Sequence, residues 1–341
     1  MSDASLSVPR ARAAPPGLPA GVTLACPDAA AYRAAASYLG YLAPGLAHLG
    51  AAALRIEVRV MDVHELPAIE AGAAARLTRD RYEVGRLGSS LVYARAGQGS
   101  VRIDPETAAV AICAAGRPAR DPDLLTSLLS IAFQEIAAHR GLFGLHAGAV
   151  ARAGAGYLLP GSSGSGKSSL CATLVRAGFG YLSDDFVLLS AADGQVRCVP
   201  CFRTMTLDAA WATRFPELQF VADLPAQPDG KRAFDPDRCF PGARASQMSP
   251  TALLFPSIAA RPRSELRPIS PRDAFRRLLP QSRLSTAPRA AEAHVRALEA
   301  LVRSAPAFEL HHGEDFLRAP EATVRRVLET LEPAPAAAEA R

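Results

Sequence analysis

One stretch limits what this chain can fold into more than any other: Gly161-Ser162-Ser163-Gly164-Ser165-Gly166-Lys167-Ser168. It lies between a short apolar run at residues 157–159 and a helix-forming segment that reaches about Arg176. Closely spaced glycines let successive backbone N–H groups converge on one point. A helix starting there adds positive potential at the same point. The spacing is that of the Walker A pattern, and its surroundings predict strand, loop and helix in the order that pattern requires. A βα unit of an α/β sheet follows. Lys167 is expected to reach the β- and γ-phosphates of ATP or GTP, and the Ser168 hydroxyl to sit on Mg²⁺. Gly161, Ser162, Ser163, Gly164, Ser165, Gly166 and Ser169 complete the expected nucleotide cradle. The competing reading, a Gly/Ser linker, does not account for the strand and helix on either side.

Two further features belong to the same region. Asp184-Asp185 closes the apolar run that follows the loop helix. In an open α/β sheet, ligands bind beyond the carboxyl ends of the strands. If this strand neighbours the loop strand, both carboxylates arrive near the γ-phosphate. One carboxylate there can hold Mg²⁺ and the other can accept a proton from a hydroxyl nucleophile. The bland reading is an acidic turn, because Asp is common in turns. His146, in Leu145-His146-Ala147-Gly148, precedes the loop hairpin. A lone histidine is more often structural than catalytic.

The series His146, residues 161–168, Gly178 and Asp184-Asp185 resembles the C-terminal catalytic domain of HPr kinase/phosphorylase. The match runs over about 45 residues without a gap. ATP-dependent phosphoenolpyruvate carboxykinase is a more distant relative of the same nucleotide-binding design. The resemblance implies that His146 and Lys167 are active-site residues. It makes Asp185 the base that activates a serine hydroxyl, which leaves Asp184 with Ser168 as metal partners. The family's hexamers imply a homo-oligomer. The family's later Glu-containing, Gly-rich segment has no counterpart here, where Val196-Arg197-Cys198-Val199-Pro200-Cys201-Phe202-Arg203 stands instead. Phosphorolysis and HPr as substrate are therefore not implied. The whole layout is more similar to the HPr-kinase-like proteins of bacterial peptide biosynthetic clusters.

The expected fold is an α/β, P-loop nucleotide-binding domain of the HPr kinase/phosphoenolpyruvate carboxykinase type, with a smaller strand-rich module before it. Residues 1–20 and 332–341, rich in Pro and Ala, read as disordered tails. Residues 21–120 form the expected mixed α/β module. Leu54, Ile56 and Val58 alternate with Arg55, Glu57 and Arg59, the period of a half-buried strand. Residues 121–331 form the expected catalytic domain, opened by a helix with Asp121 as its cap.

Composition narrows the function classes. Of 341 residues, 49% are hydrophobic and 21% charged, enough for a buried core. The net charge of +5 comes without a dense basic run interleaved with aromatics, so no nucleic-acid partner is expected. No signal peptide or membrane-length apolar run is evident, which reads as cytoplasmic. Six scattered cysteines read as free thiols, and Cys198 and Cys201 as weak CxxC spacing. Residues 222–250 read as a long functional or mobile loop, whose Lys231, Arg232 and Arg238 either close over phosphates or are solvated. The combined expectation is an ATP-dependent kinase acting on a serine of a peptide or protein, such as a ribosomal precursor peptide. A metabolite kinase and a nucleotide-gated regulator compete with it.

Overall fold

The computed structural model describes residues 18–50, 54–61, 77–79, 82–115, 122–152, 154–192, 194–227 and 229–331. Asp121 and the expected tails, apart from residues 18–20, lie outside them. The chain is mixed α/β and divides into two compact units.

The first unit comprises the described residues up to Gly40 and from residue 54 to Ala132. Strand β1 (Val22–Ala25) leads into α1 (Ala29–Tyr41). Asp28 starts that helix, its Oδ1 accepting from the N–H groups of Ala30 at 2.9 Å and Ala31 at 2.8 Å. Helix α2 (Ala43–Ala47) belongs to the second unit. Then come β2 (Leu54–Met61), β3 (Leu77–Arg79), β4 (Tyr82–Leu87), β5 (Ser90–Arg95), β6 (Gly99–Asp104) and β7 (Ala109–Ala115). They form one seven-stranded sheet in the order β1-β2-β7-β6-β5-β4-β3. Leu54, Ile56 and Val58 are buried while Arg55 and Arg59 are exposed, as the alternation predicts. Helix α3 (Pro122–His139) runs across the division between units.

The second unit continues with β8 (Leu142–Arg152), β9 (Ala155–Pro160), α4 (Lys167–Arg176), β10 (Gly180–Ser183), β11 (Phe186–Ala192) and β12 (Gln195–Pro200). It goes on with β13 (Met205–Leu207), α5 (Ala209–Ala212), β14 (Arg232–Phe234), β15 (Pro250–Ile258) and β16 (Glu265–Ile269). It closes with α6 (Pro271–Leu278), α7 (Pro288–Ser304), β17 (Ala307–His312), α8 (Glu314–Arg318) and α9 (Pro320–Glu329). The main sheet has eight strands, in the order β12-β11-β8-β9-β15-β17-β16 with β10 also on β8. Strands β9, β15 and β17 run parallel, so their carboxyl ends share one edge. Neighbouring residues on β9 and β15 face opposite ways. Leu159 and Leu254 enter a core with Leu170 of α4 and Val327 of α9, whereas Leu158 and Leu253 enter one with Leu278 of α6 and Leu298 of α7. Helices thus cover both faces, the arrangement that buries parallel strands. No described helix is long and apolar enough to cross a membrane.

Strand β8 is long enough to take two partners along one edge. Its first half pairs with β11, Phe186 opposite His146, and its second half with β10, Tyr181 opposite Val150. The chain breaks from one pairing to the other at Asp184-Asp185. Ser183 holds the break: its hydroxyl donates to Phe186 O at 2.9 Å and accepts from the N–H groups of Asp185 and Phe186. The expected adjacency of the acidic strand to the loop strand is therefore indirect, with β8 between β10 and β9. The segment 222–250 is not one open loop. It contains β14, which pairs with β13, and a short 3-10 helix at Pro236–Arg238.

Candidate active site

The glycine-rich loop joins the end of β9 to the start of α4. Gly164 and Gly166 adopt φ of +81° and +95°, a backbone region that L side chains rarely enter. The loop curls around its own lysine, whose Nζ donates to Gly161 O at 2.7 Å and Ser162 O at 2.9 Å. Lys167 is only 5% exposed. Burial lowers its pKa to about 8; Asp185 opposes that shift and the Lys231 ammonium adds to it. The Ser165 Oγ is buried without a hydrogen-bond partner among the described residues. Such a polar atom is costly unless something else satisfies it.

Asp184 and Asp185 are adjacent in sequence and opposite in environment. Asp184 is 1% exposed. It accepts from Tyr181 Oη at 2.8 Å, Thr206 Oγ1 at 2.7 Å and Thr206 N at 3.2 Å. The Ser168 side chain lies near enough to act on its pKa as well, in the lowering direction. Burial, then the charge of Asp185, raises its pKa despite those hydrogen bonds. A buried carboxylate whose charge is disfavoured gains from a cation. One carboxylate and one hydroxyl, with phosphate oxygens and water for the rest, is a donor set that suits Mg²⁺. Ser168 and Asp184 therefore fit the expected metal. No cluster of three or more His, Cys, Asp or Glu side chains arranged for a metal occurs among the described residues.

Asp185 faces outward, its side chain 39% exposed. His146 Nε2 lies 3.0 Å from its Oδ1. Burial alone would push the carboxyl up, but the His146 hydrogen bond and charge, with Lys231 and Lys167, hold it below the usual range. An ionised carboxylate only accepts, so the proton of this contact sits on Nε2. The other ring nitrogen, Nδ1, is 3.2 Å from Gln281 Oε1. The fold thus brings His146, Lys167, Ser168, Asp184 and Asp185 to one edge of the sheet.

Sequence reasoning did not find Tyr181, Thr206, Ser183 or Gln281, which hold the site from three places in the chain. It grouped Lys231, Arg232 and Arg238 together, and the structure separates them. Arg232 Nε binds Leu224 O at 3.0 Å, and Arg238 lies 3.8 Å above the Phe220 ring. The charge of Lys231 acts on both Lys167 and Asp185. The CxxC pair is inert by position: Cys198 and Cys201 are free and buried, and burial pushes both thiols well up.

No family model matches the chain, and a comparison with curated proteins finds no match. Among solved structures, the chain is similar to the HPr(Ser) kinase/phosphatase from Coxiella burnetii, with 13% identity and a TM-score of 0.31. The likeness covers 56% of this chain and 99% of that one. It is a distant resemblance of fold.

Proposed function

We propose that this chain is a Mg²⁺- and nucleotide-dependent phosphotransferase that moves the γ-phosphoryl group of ATP or GTP to a serine hydroxyl of a peptide or protein. One observation carries this reading: the contrast in environment between neighbouring carboxylates, Asp184 buried against Tyr181 and Thr206 and Asp185 more open beside His146.

In this reading the loop N–H groups hold the β-phosphate, and Lys167 exchanges its carbonyl partners for phosphate oxygens. Ser168 and Asp184 would hold Mg²⁺, which when bound would supply positive charge to the phosphate groups. Asp185 Oδ1 is taken by His146, which leaves Oδ2 for the acceptor hydroxyl. As the serine oxygen bonds to the γ-phosphorus, its proton passes to Asp185. The bond from that phosphorus to the bridging oxygen breaks, and the nucleoside diphosphate leaves. Gln281 positions His146, and His146 positions Asp185. The measured step is phosphoryl transfer from γ-labelled Mg·ATP to a serine peptide array, in parallel with free hydroxyl metabolites. Label on peptide serine supports the proposal. Label on a metabolite alone replaces it with a small-molecule kinase. Binding without turnover on any acceptor overturns it in favour of a nucleotide-gated regulator.

A further inference from the structure

The ribbon β13–β14 stands apart from both large sheets. It is tied to the site at Thr206, whose N–H and hydroxyl both bind Asp184. Within the ribbon Thr206 pairs with Ala233 and Leu207 with Arg232, which places Lys231 next along the chain, just outside β14.

The backbone at Lys231 is held on several sides. Its carbonyl accepts from Gln227 N at 2.7 Å, and its N–H donates to Asp229 Oδ1 at 3.1 Å. Gly230 turns the chain with φ of +83°, and Arg232 ties the turn to Leu224 O. The side chain is engaged far less. Its one ion pair among the described residues is with Asp229, half exposed itself, at 3.9 Å. A pair that long and that exposed contributes little. Meanwhile the charge of the ammonium acts on the like charge of Lys167 and on the carboxylate of Asp185. Like charges focused on a glycine-rich loop raise the energy of the free protein. A polyphosphate removes that penalty, because its oxygens accept from both cations.

We infer that Lys231 is a second phosphate-binding cation of this site, donating from Nζ to the terminal phosphate of the bound nucleoside triphosphate and to the phosphoryl group in transit. The inference rests on the phosphotransferase reading above. Coupling to Asp185 puts the charge at the acceptor side of the site, where the γ-phosphate and not the α-phosphate lies. A diphosphate therefore gains little from Lys231, and a triphosphate gains much.

The test uses the full chain with Lys231→Met and Lys231→Arg. Calorimetry measures affinity for Mg·ADP and for a non-hydrolysable Mg·ATP analogue, and single-turnover assays measure transfer. The expected result for Lys231→Met is an ADP affinity within about twofold of wild type and an analogue affinity weaker by about tenfold or more, the scale of a charged hydrogen bond. Transfer should fall by about a hundredfold, the scale of a lost donor to transition-state charge. Lys231→Arg should keep most of the analogue affinity. Unchanged analogue affinity and transfer in Lys231→Met overturn the inference and leave the phosphotransferase reading standing. Equal loss of both nucleotides overturns it as well, because the residue then serves the ribbon. Wild-type protein that binds neither nucleotide overturns both.

Discussion

On the phosphotransferase reading proposed above, the depressed pKa of Lys167 should make nucleotide affinity depend on pH with a definite sign and size. In the free protein burial lowers this pKa from 10.5 to about 8. Phosphate oxygens around the ammonium restore the charged form, so the bound-state pKa returns to the ordinary lysine value or higher. Binding then takes up a proton at any pH between the two values. The dissociation constant scales inversely with the fraction of free protein that retains that proton, and from about pH 7.5 to about pH 9 it should weaken about eightfold. Stability shows the reverse sign. Between the folded and unfolded pKa values the unfolded chain carries more protons, so the free protein gains stability as pH rises through about 8 toward 10.5. The nucleotide complex lacks that gain, and the thermal shift produced by ligand shrinks accordingly. Calorimetric titrations in buffers of different ionisation enthalpy measure both the affinity and the proton uptake. Lys167→Met should bind weakly and show no slope in this window. A wild-type affinity that stays flat from about pH 7.5 to about pH 9, or a Lys167→Met protein with the same slope as wild type, would refute the linkage.

Other perturbations probe separate parts of the site. Asp185→Asn should keep Mg²⁺-nucleotide affinity and lower single-turnover transfer by about a hundredfold or more, the scale of a lost general base. Asp184→Asn should instead raise the Mg²⁺ concentration needed for half-maximal turnover, with part of the rate recovered at high Mg²⁺; a transfer defect insensitive to Mg²⁺ would reverse the two assignments. EDTA should abolish turnover and added Mg²⁺ restore it, and full activity in EDTA rules out the Ser168–Asp184 metal reading. Gly144→Ala places a methyl carbon 2.4 Å from Phe186 Cζ, next to Asp185. Urea unfolding should show a loss of about 1–3 kcal/mol, the range for overpacked cores, and an unchanged midpoint would mean the ring moves aside freely.

The glycine-rich loop was legible because its interactions are local. Lys167 bonds to carbonyls five and six residues before it, and the glycines that allow the turn lie in the same run. Strand β2 was legible for a similar reason, since a half-buried strand writes its two faces into alternate residues. The roles of the acidic pair were not legible from the residues themselves. Asp184 and Asp185 are chemically identical neighbours. What separates them is burial against Thr206, 22 residues away, for one, and contact with His146, 39 residues away, for the other. Gln281 reaches His146 across 135 residues with no sequence signal around it. The basic residues at 231, 232 and 238 read as one group, and only packing decides that two bind a backbone carbonyl and an aromatic ring while the charge of Lys231 acts on Lys167 and Asp185. Charge and hydrogen-bonding capacity belong to the residue type, but the dielectric and the partner that set a pKa belong to the fold. Local backbone chemistry suffices to specify the glycine-rich turn, whereas long-range packing sets which carboxylate is buried against Tyr181 and Thr206 and which stands open beside the histidine.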